Sequence, residues 1–140
     1  MNFKSLVTRV QSYTRDDTGS LFTVSDIKDF INEAIDRFKK IPELKGMKHL
    51  SNDDDVVEYL PTEHHYLLAV YSASRCYTQD EQHYLAQSFM DEFLIALTDI
   101  EQKIREGIIT ITDNDGNVID KSNIMEYVVD VYFKGSGING

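Results

Sequence analysis

Apolar residues recur every three or four positions through most of the chain, which is the spacing of amphipathic helices. The first predicted helix covers residues 2–13, and a polar segment at 15–19 breaks it. A second helix begins at Thr23 or Ser25, either of which can cap it, and it ends near Ile41, just before a proline. Its apolar stripe consists of Ile27, Phe30, Ile31, Ala34, Ile35 and Phe38.

The middle of the chain predicts a loop and two further helices. Residues 42–58 are expected to form an exposed loop, with a short strand at 56–60. Pro61 opens a third helix. Residues 78–81, with the sequence TQDE, have the form of a capping box and predict the start of a fourth, long helix that Gly107 ends. The apolar stripe of this helix is too wide for one neighbour, so we expect contact with two or more helices.

Tyrosines are frequent in this middle part of the chain. Tyr71 and Tyr77 share the apolar face of the third helix, so we expect them in the core. Tyr66 and Tyr84 fall near the edge of the apolar faces and are expected to be partly exposed, as suits residues at subunit interfaces.

The apolar periodicity changes from helical to alternating after Gly107. Residues 108–121 predict a β-hairpin with its turn at Asp115 and Gly116. Alternation then continues in a C-terminal strand whose members on one face are Tyr127, Val129, Val131 and Phe133. Such a strand needs a partner. It either joins the hairpin in a three-stranded sheet or hooks another molecule, with residues 135–140 as a flexible end.

These elements predict a mainly α-helical protein with a single domain of 140 residues. Residues 1–107 form a small helical bundle around the long helix of the C-terminal half. The β-hairpin at 108–121 follows, and residues 122–140 form a terminal strand or an extended tail.

Composition indicates a globular chain without a membrane span. The hydrophobic share is 41% and the charged share is 27%, and no apolar run reaches the length of a bilayer. The N-terminal residues have no secretory pattern, which favours the cytoplasm. The single cysteine, Cys76, lies in an apolar-periodic stretch and is expected to be a buried core residue.

Charge is divided unevenly along the chain. The net charge is −10, of which residues 1–50 contribute +2 and the remainder −12. This balance argues against tight nucleic-acid binding. The one basic cluster comprises Arg37, Lys39, Lys40, Lys45 and Lys48. The simplest interpretation is a solvated helix end, and the main alternative is a contact with another protein.

Candidate chemistry is sparse. His49, His64, His65 and His83 lack the spacing of metal ligands, and the aspartates at 113 and 115 do not complete a calcium loop. The acidic residues at 53–55 are expected to lie in a solvated loop. No nucleotide-binding or hydrolase motif is present. We therefore expect neither catalysis nor a cofactor nor a bound metal.

Three segments of this chain resemble the head-to-tail adaptor, or head-completion, proteins of tailed bacteriophages. They are SDIKDFINEAIDRF, VEYLPTEHHYLLAVYSASRCYTQDEQ and LAQSFMDEFLIALTDIEQKI, within residues 23–105. The similarity lies in the order of the secondary-structure elements and in the types of residue along them. It implies a ring, commonly dodecameric, that is assembled beneath the portal protein in the virion neck after synthesis in the host cytoplasm. Such a ring extends the DNA channel without binding DNA specifically and provides a platform for the next neck or tail protein.

Charge suggests how neighbours in such a ring would meet. A ring needs two different complementary faces on each copy. We expect the basic cluster to contact an acidic flank on the long helix of the next copy, formed by Asp91, Glu92, Asp99 and Glu101. Carboxylates that line the lumen would repel DNA phosphates.

Two other classes of function remain open from the sequence. One is a small cytoplasmic helical module that binds or regulates a partner. The other is a hydrolase that uses the acidic loop.

Overall fold

The computed structural model describes residues 1–16 and 19–119, and it is mainly helical, as predicted. Its helices are α1 (Phe3–Tyr13), α2 (Val24–Phe38), α3 (Tyr66–Gln79) and α4 (His83–Arg105). Short 3₁₀ helices span Pro42–Leu44 and Thr62–His64, and the hairpin strands are β1 (Ile111–Thr112) and β2 (Val118–Ile119). The predicted C-terminal strand and tail lie outside the described residues.

Helix α1 begins at a side-chain cap and faces the core with its apolar stripe. The Asn2 side chain accepts a hydrogen bond from the Ser5 backbone N–H, while Phe3, Leu6, Val7 and Val10 are buried. The start of α1 is tied to a distant loop, because the N–H groups of Phe3 and Lys4 donate to the carbonyls of Asp55 and Asp53. These bonds satisfy donors that a helix N-terminus leaves without partners.

Thr23 caps α2 and accepts a hydrogen bond from the Asp26 N–H, which decides between the two predicted caps. The helix ends at Phe38, earlier than the predicted end near Ile41. Ile41 is extended, with ψ of 123°, because the residue before a proline is disfavoured in the helical region.

The segment between α2 and α3 differs from the exposed loop that we predicted. Its apolar side chains lie in the core, namely Leu44, Met47, Leu50, Val57 and Leu60. The predicted strand at 56–60 is wrong, since only Val56 forms a bridge, to Asn2. The backbone turns immediately afterwards, where Tyr59 has a φ of 71°.

Helix α3 is the centre of the bundle and packs against α1, α2 and α4. Pro61 precedes the 3₁₀ helix Thr62–His64, so the α-helix starts later than predicted, at Tyr66. Tyr71 and Tyr77 are buried as expected, and so is Cys76. Burial raises the pKa of the Cys76 thiol to about 12.

The predicted capping box at 78–81 is wrong, because these residues end α3. The Thr78 hydroxyl donates to the Ser74 carbonyl inside α3. Glu81 has a φ of 60°, its N–H donates to Thr78, and the Gln82 N–H donates to Tyr77. This pair of bonds is the Schellman pattern of a helix C-terminus. Helix α4 therefore begins at His83, without a side-chain cap.

Helix α4 packs chiefly on α3 and reaches the other two helices through two phenylalanines. The Phe93 ring centroid lies 5.0 Å from that of Tyr71 and 5.6 Å from that of Phe38 in α2. Phe89 contacts Tyr77 at 5.8 Å and Tyr13 of α1 at 5.9 Å. The predicted contact with more than one helix is confirmed at these positions.

The hairpin follows the end of α4, as predicted. Gly107, with a φ of 76°, ends the helix through bonds from its own N–H to Ile104 and from the Ile108 N–H to Lys103. In the antiparallel hairpin, Ile111 pairs with Ile119 and Thr112 with Val118. The Asn114 side chain donates to Glu58, so the hairpin turn is tied to the bundle.

Candidate functional site

The five basic residues predicted from the sequence lie at the end of α2 and along the 3₁₀ helix that follows it. We call Arg37, Lys39, Lys40, Lys45 and Lys48 the basic surface. Lys39 is half-buried and the other four are exposed. None of the five forms an ion pair within residues 1–16 and 19–119. Glu43, the carboxylate in their midst, is buried and forms no ion pair with any of them.

One member of the basic surface also contacts an aromatic ring. The Arg37 guanidinium carbon lies 5.8 Å from the Tyr71 ring centroid. Tyr71 in turn donates a hydrogen bond of 2.6 Å to Glu33, which lies 3.2 Å from the Arg75 Nε. Burial, followed by the hydrogen bond and the negative charge of Glu33, raises the pKa of the Tyr71 phenol. The polar groups between α2 and α3 thus position Arg37 above the core.

The four acidic residues predicted as a second interface all lie on α4, but not on one side of it. At about 100° per residue, Asp91 projects from the side of α4 opposite the core residue Phe93, Glu92 and Asp99 lie together towards one edge, and Glu101 lies towards the other edge. Asp91, Glu92 and Asp99 are exposed, and Glu101 is half-buried.

Most of these acids already have partners within α4. Asp99 pairs with Lys103 at 3.0 Å and Glu101 with Arg105 at 2.6 Å. Asp91 accepts a hydrogen bond from Gln87 at 2.7 Å. Glu92 forms no hydrogen bond or ion pair with any described residue. Exposed pairs of this kind contribute little to stability and can exchange partners, so the acids stay available to another molecule.

Two large apolar residues lie among these acids, namely Tyr84, which the sequence predicts to be partly exposed, and Ile95, which sequence reasoning missed. Tyr84 is 87% exposed and Ile95 is 72% exposed. They are eleven positions apart, which is close to three helical turns, so both project from the side of α4 opposite the core. The signal for Ile95 was present, since it falls outside the apolar stripe. We call Tyr84, Asp91, Glu92, Ile95 and Asp99 the outer face of α4.

The predicted C-terminal hook, with Tyr127, Val129, Val131 and Phe133, lies outside the described residues. The two charged surfaces can be compared directly. No ion pair joins them within the part of the chain that the structure describes. The described part of the chain therefore carries a basic surface without ion pairs and an acidic, partly apolar one. This is the arrangement that a contact between unlike faces requires.

The acidic loop has structural roles. Asp53 pairs with Lys28 at 2.8 Å, and this hydrogen bond lowers its pKa. Asp55 accepts hydrogen bonds from the N–H groups of Asn52 and Ser51, which lower its pKa. A general acid needs a raised pKa, so these shifts give no support to the hydrolase alternative.

The histidines lie apart from one another. His65 is buried, and its Nε2 bonds the Leu60 carbonyl while Nδ1 lies 2.7 Å from the Met1 amine. His49 pairs with Asp36 at 2.7 Å on the surface. Within the described ranges, no group of three or more His, Cys, Asp or Glu side chains is placed to hold a metal. The described helices also include none with the length and apolarity of a membrane span.

Comparison with known proteins adds no relative. No protein-family model, curated protein or solved structure matches the chain.

Proposed function

We propose that the protein is a structural subunit that joins copies of itself into a ring and acts as a head-to-tail adaptor of a tailed bacteriophage. The ring sits beneath the portal protein, extends the DNA channel and presents a platform to the next neck or tail component. The resemblance of residues 23–105 to such adaptors motivates the proposal. The observation that carries it is the pair of unlike surfaces on one helical domain.

The ring contact follows from the chemistry of those surfaces. The basic surface of one copy meets the outer face of α4 of the next, where Glu92 has no partner among the described residues and Ile95 supplies an apolar centre. Charged groups select the partner and the register of such a contact, while buried apolar area supplies most of the affinity. The net charge of −10 supports a lumen that repels DNA phosphates.

Light scattering and negative-stain microscopy test the function with the full chain, alone and mixed with portal rings. We expect rings of this protein seated on the portal. The adaptor proposal is contradicted if the protein remains monomeric and binds no portal ring, including rings from phages whose neck proteins resemble it. That outcome would favour the small helical binding module, for which the exposed Tyr84 and Ile95 would serve a single partner.

Charge reversal tests the ring contact itself. Lys39→Glu with Lys40→Glu should weaken assembly, and so should Asp91→Lys with Glu92→Lys. Mixing the two variants should restore contact between unlike copies, since each reversed face then meets its complement. Arg9→Glu is the control, because Arg9 is exposed on α1 and outside both surfaces. Intact ring assembly by the Lys39 and Lys40 variant would refute this contact.

The C-terminal segment has a separate test. We propose that the residues from Tyr127 to Phe133 hook the subunit onto the portal or an adjacent copy. A chain that ends at Lys121 should remain folded, as judged by circular dichroism, and should lose binding to the portal. Unfolding of the shortened chain would assign the strand to the core of its own molecule.

A further inference from the structure

A groove separate from the outer face of α4 lies between the end of that helix, the hairpin and the first 3₁₀ helix. Its volume is about 230 Å³. Its lining is as polar as it is apolar, and the apolar side chains belong to Ile104, Ile109, Ile111, Val118 and Ile119. The polar side chains that line it belong to Glu43, Arg105 and Thr110.

Glu43 is the unusual member of this groove. It is only 4% exposed, and it forms no hydrogen bond or ion pair with any residue that the structure describes. Arg105 lines the same groove, but its guanidinium is held by Glu101 at 2.6 Å. Carboxylates are seldom this deeply buried without a partner, since the loss of hydration is costly.

Asp16 is another buried acid, and it has hydrogen-bond donors around its carboxylate. It is 3% exposed, and it accepts backbone hydrogen bonds from Ser20, Leu21 and Phe22. Glu43 is as deeply buried and has no such donors. Its carboxylate oxygens are not fully enclosed and keep contact with solvent, so a cation that enters the groove can reach them.

The groove has the chemistry of a site for an alkyl cation. Lysine and arginine combine an aliphatic stem, which suits isoleucine walls, with a cationic head that bonds a carboxylate. A neutral ligand would leave the carboxylate unpaired, and a single carboxylate is a poor ligand set for a metal ion. We propose that this groove receives a lysine or arginine side chain of another polypeptide, with its head on Glu43. The proposal goes beyond the adaptor function and does not depend on it.

A titration of the full-length protein followed by amide NMR tests the site. The probes are the N-acetyl, N-methylamide derivatives of lysine and arginine, and the matching norleucine derivative is the uncharged control. We expect saturable changes in the amide chemical shifts of Gly107, Thr110 and Ile111. Comparison of the lysine and arginine probes will show which head group the site binds more tightly. Norleucine should bind at least about tenfold more weakly, because it lacks the charge-assisted hydrogen bond.

Glu43→Gln should weaken binding of the cationic probes by at least about tenfold. The matched control is Glu63→Gln, since Glu63 is the middle residue of the other 3₁₀ helix but is exposed.

Several results would overturn the proposal. They are the absence of saturable binding, equal binding of the cationic probes by the wild type and Glu43→Gln, or equal binding of the norleucine probe and the cationic probes. If the wild type fails to bind but Lys121→Gln or Lys134→Gln does, the chain itself supplies the cation. That result would replace the partner polypeptide with this chain's own C-terminal segment.

Discussion

The hydroxyl of Ser74 donates a hydrogen bond of 2.7 Å to the backbone carbonyl of Ala86, joining the middle of α3 to the first turn of α4. Both residues are buried. Helix α4 starts without a side-chain cap, so this bond helps to fix where α4 lies on α3.

Ser74→Ala should therefore lower the free energy of unfolding by about 1 kcal/mol, the usual net value of a buried hydrogen bond. Urea denaturation measures the change. Ser72→Ala is the control, because the Ser72 hydroxyl donates to Leu68 within its own helix and makes no bond between helices. Equal losses for the two variants would contradict a special role for the bond to Ala86.

Gly46 leaves little room for a side chain. A Cβ atom there would lie 3.0 Å from Cζ of Tyr59. Because the Tyr59 ring is half-buried and needs to move by only a few tenths of an ångström, Gly46→Ala should cost about 1 kcal/mol, at the low end for overpacking. Tyr59→Ala should remove most of that additional cost, so a double-mutant cycle should give a clear coupling energy. Strict additivity of the two changes would exclude the clash as the cause.

Stability should decline in mildly acidic solution because of His65. Burial, the largest cause, lowers its pKa below the ordinary value of 6.5; the nearby Met1 amine and His64 act in the same direction, while the bond to Leu60 and the charge of Glu63 oppose them. The neutral ring is therefore favoured in the folded state, and its contribution is present above pH 6.5 and lost as the pH falls below it.

The expected slope is at most about 1.4 kcal/mol per pH unit, the value for one proton. Urea titrations between pH 7.5 and 5 measure it, at pH values chosen around the ordinary histidine pKa. His65→Gln should flatten this dependence, although the variant is less stable overall. His64→Gln should leave it intact, and a slope that survives in His65→Gln would assign the effect to another group.

The ionisation of Asp16 should govern stability in a second, more acidic pH range. Burial alone would raise its pKa, but the hydrogen bonds from Phe22, Leu21 and Ser20 outweigh burial and hold the pKa below 3.8. Its contribution is thus present above pH 3.8 and lost as the pH falls through the lower, folded-state pKa. Asp16→Asn should lower the melting temperature at neutral pH, because the amide accepts fewer hydrogen bonds. Scanning calorimetry should show the gap between the two proteins narrowing towards pH 2, and a constant gap would argue against the ionised form as its source.

Ile95 should matter for assembly and not for folding. Ile95→Ser should change the free energy of unfolding by no more than about 0.5 kcal/mol, as surface substitutions do, while it weakens self-association in sedimentation experiments. Leu21→Ser is the matched control, since Leu21 is 62% exposed but lies outside both surfaces. Equal association of the two variants would remove Ile95 from the interface.

The two Schellman ends show how far the sequence alone can predict this fold. Gly107 and Glu81 both adopt a positive φ at the end of a helix. Glycine takes that conformation without strain, so the end of α4 was predicted correctly. A glutamate there gives no such signal, and together with Thr78 it imitates the start of a helix. Tertiary packing holds Glu81 in this conformation, and no local sequence pattern indicates it.

Only part of the candidate site could be predicted, because the rest also depends on tertiary packing. Charge along the chain identified the basic surface and the acids of α4, since charged residues are exposed in most proteins. It could not show that Glu43 is buried and lines a groove with the hairpin, because that depends on where the hairpin lies. Ile95 could have been found as a large apolar residue outside the core stripe.

The bonds that tie the start of α1 to Asp53 and Asp55 also bear on biosynthesis. During translation the first helix leaves the ribosome well before the loop that completes its N-terminal end. Until residues 53–57 emerge, its leading amide groups have only water and the Asn2 side chain as partners, and short isolated helices are marginal in water. The N-terminal segment of a nascent chain should accordingly remain open to proteases until the middle of the polypeptide has been made.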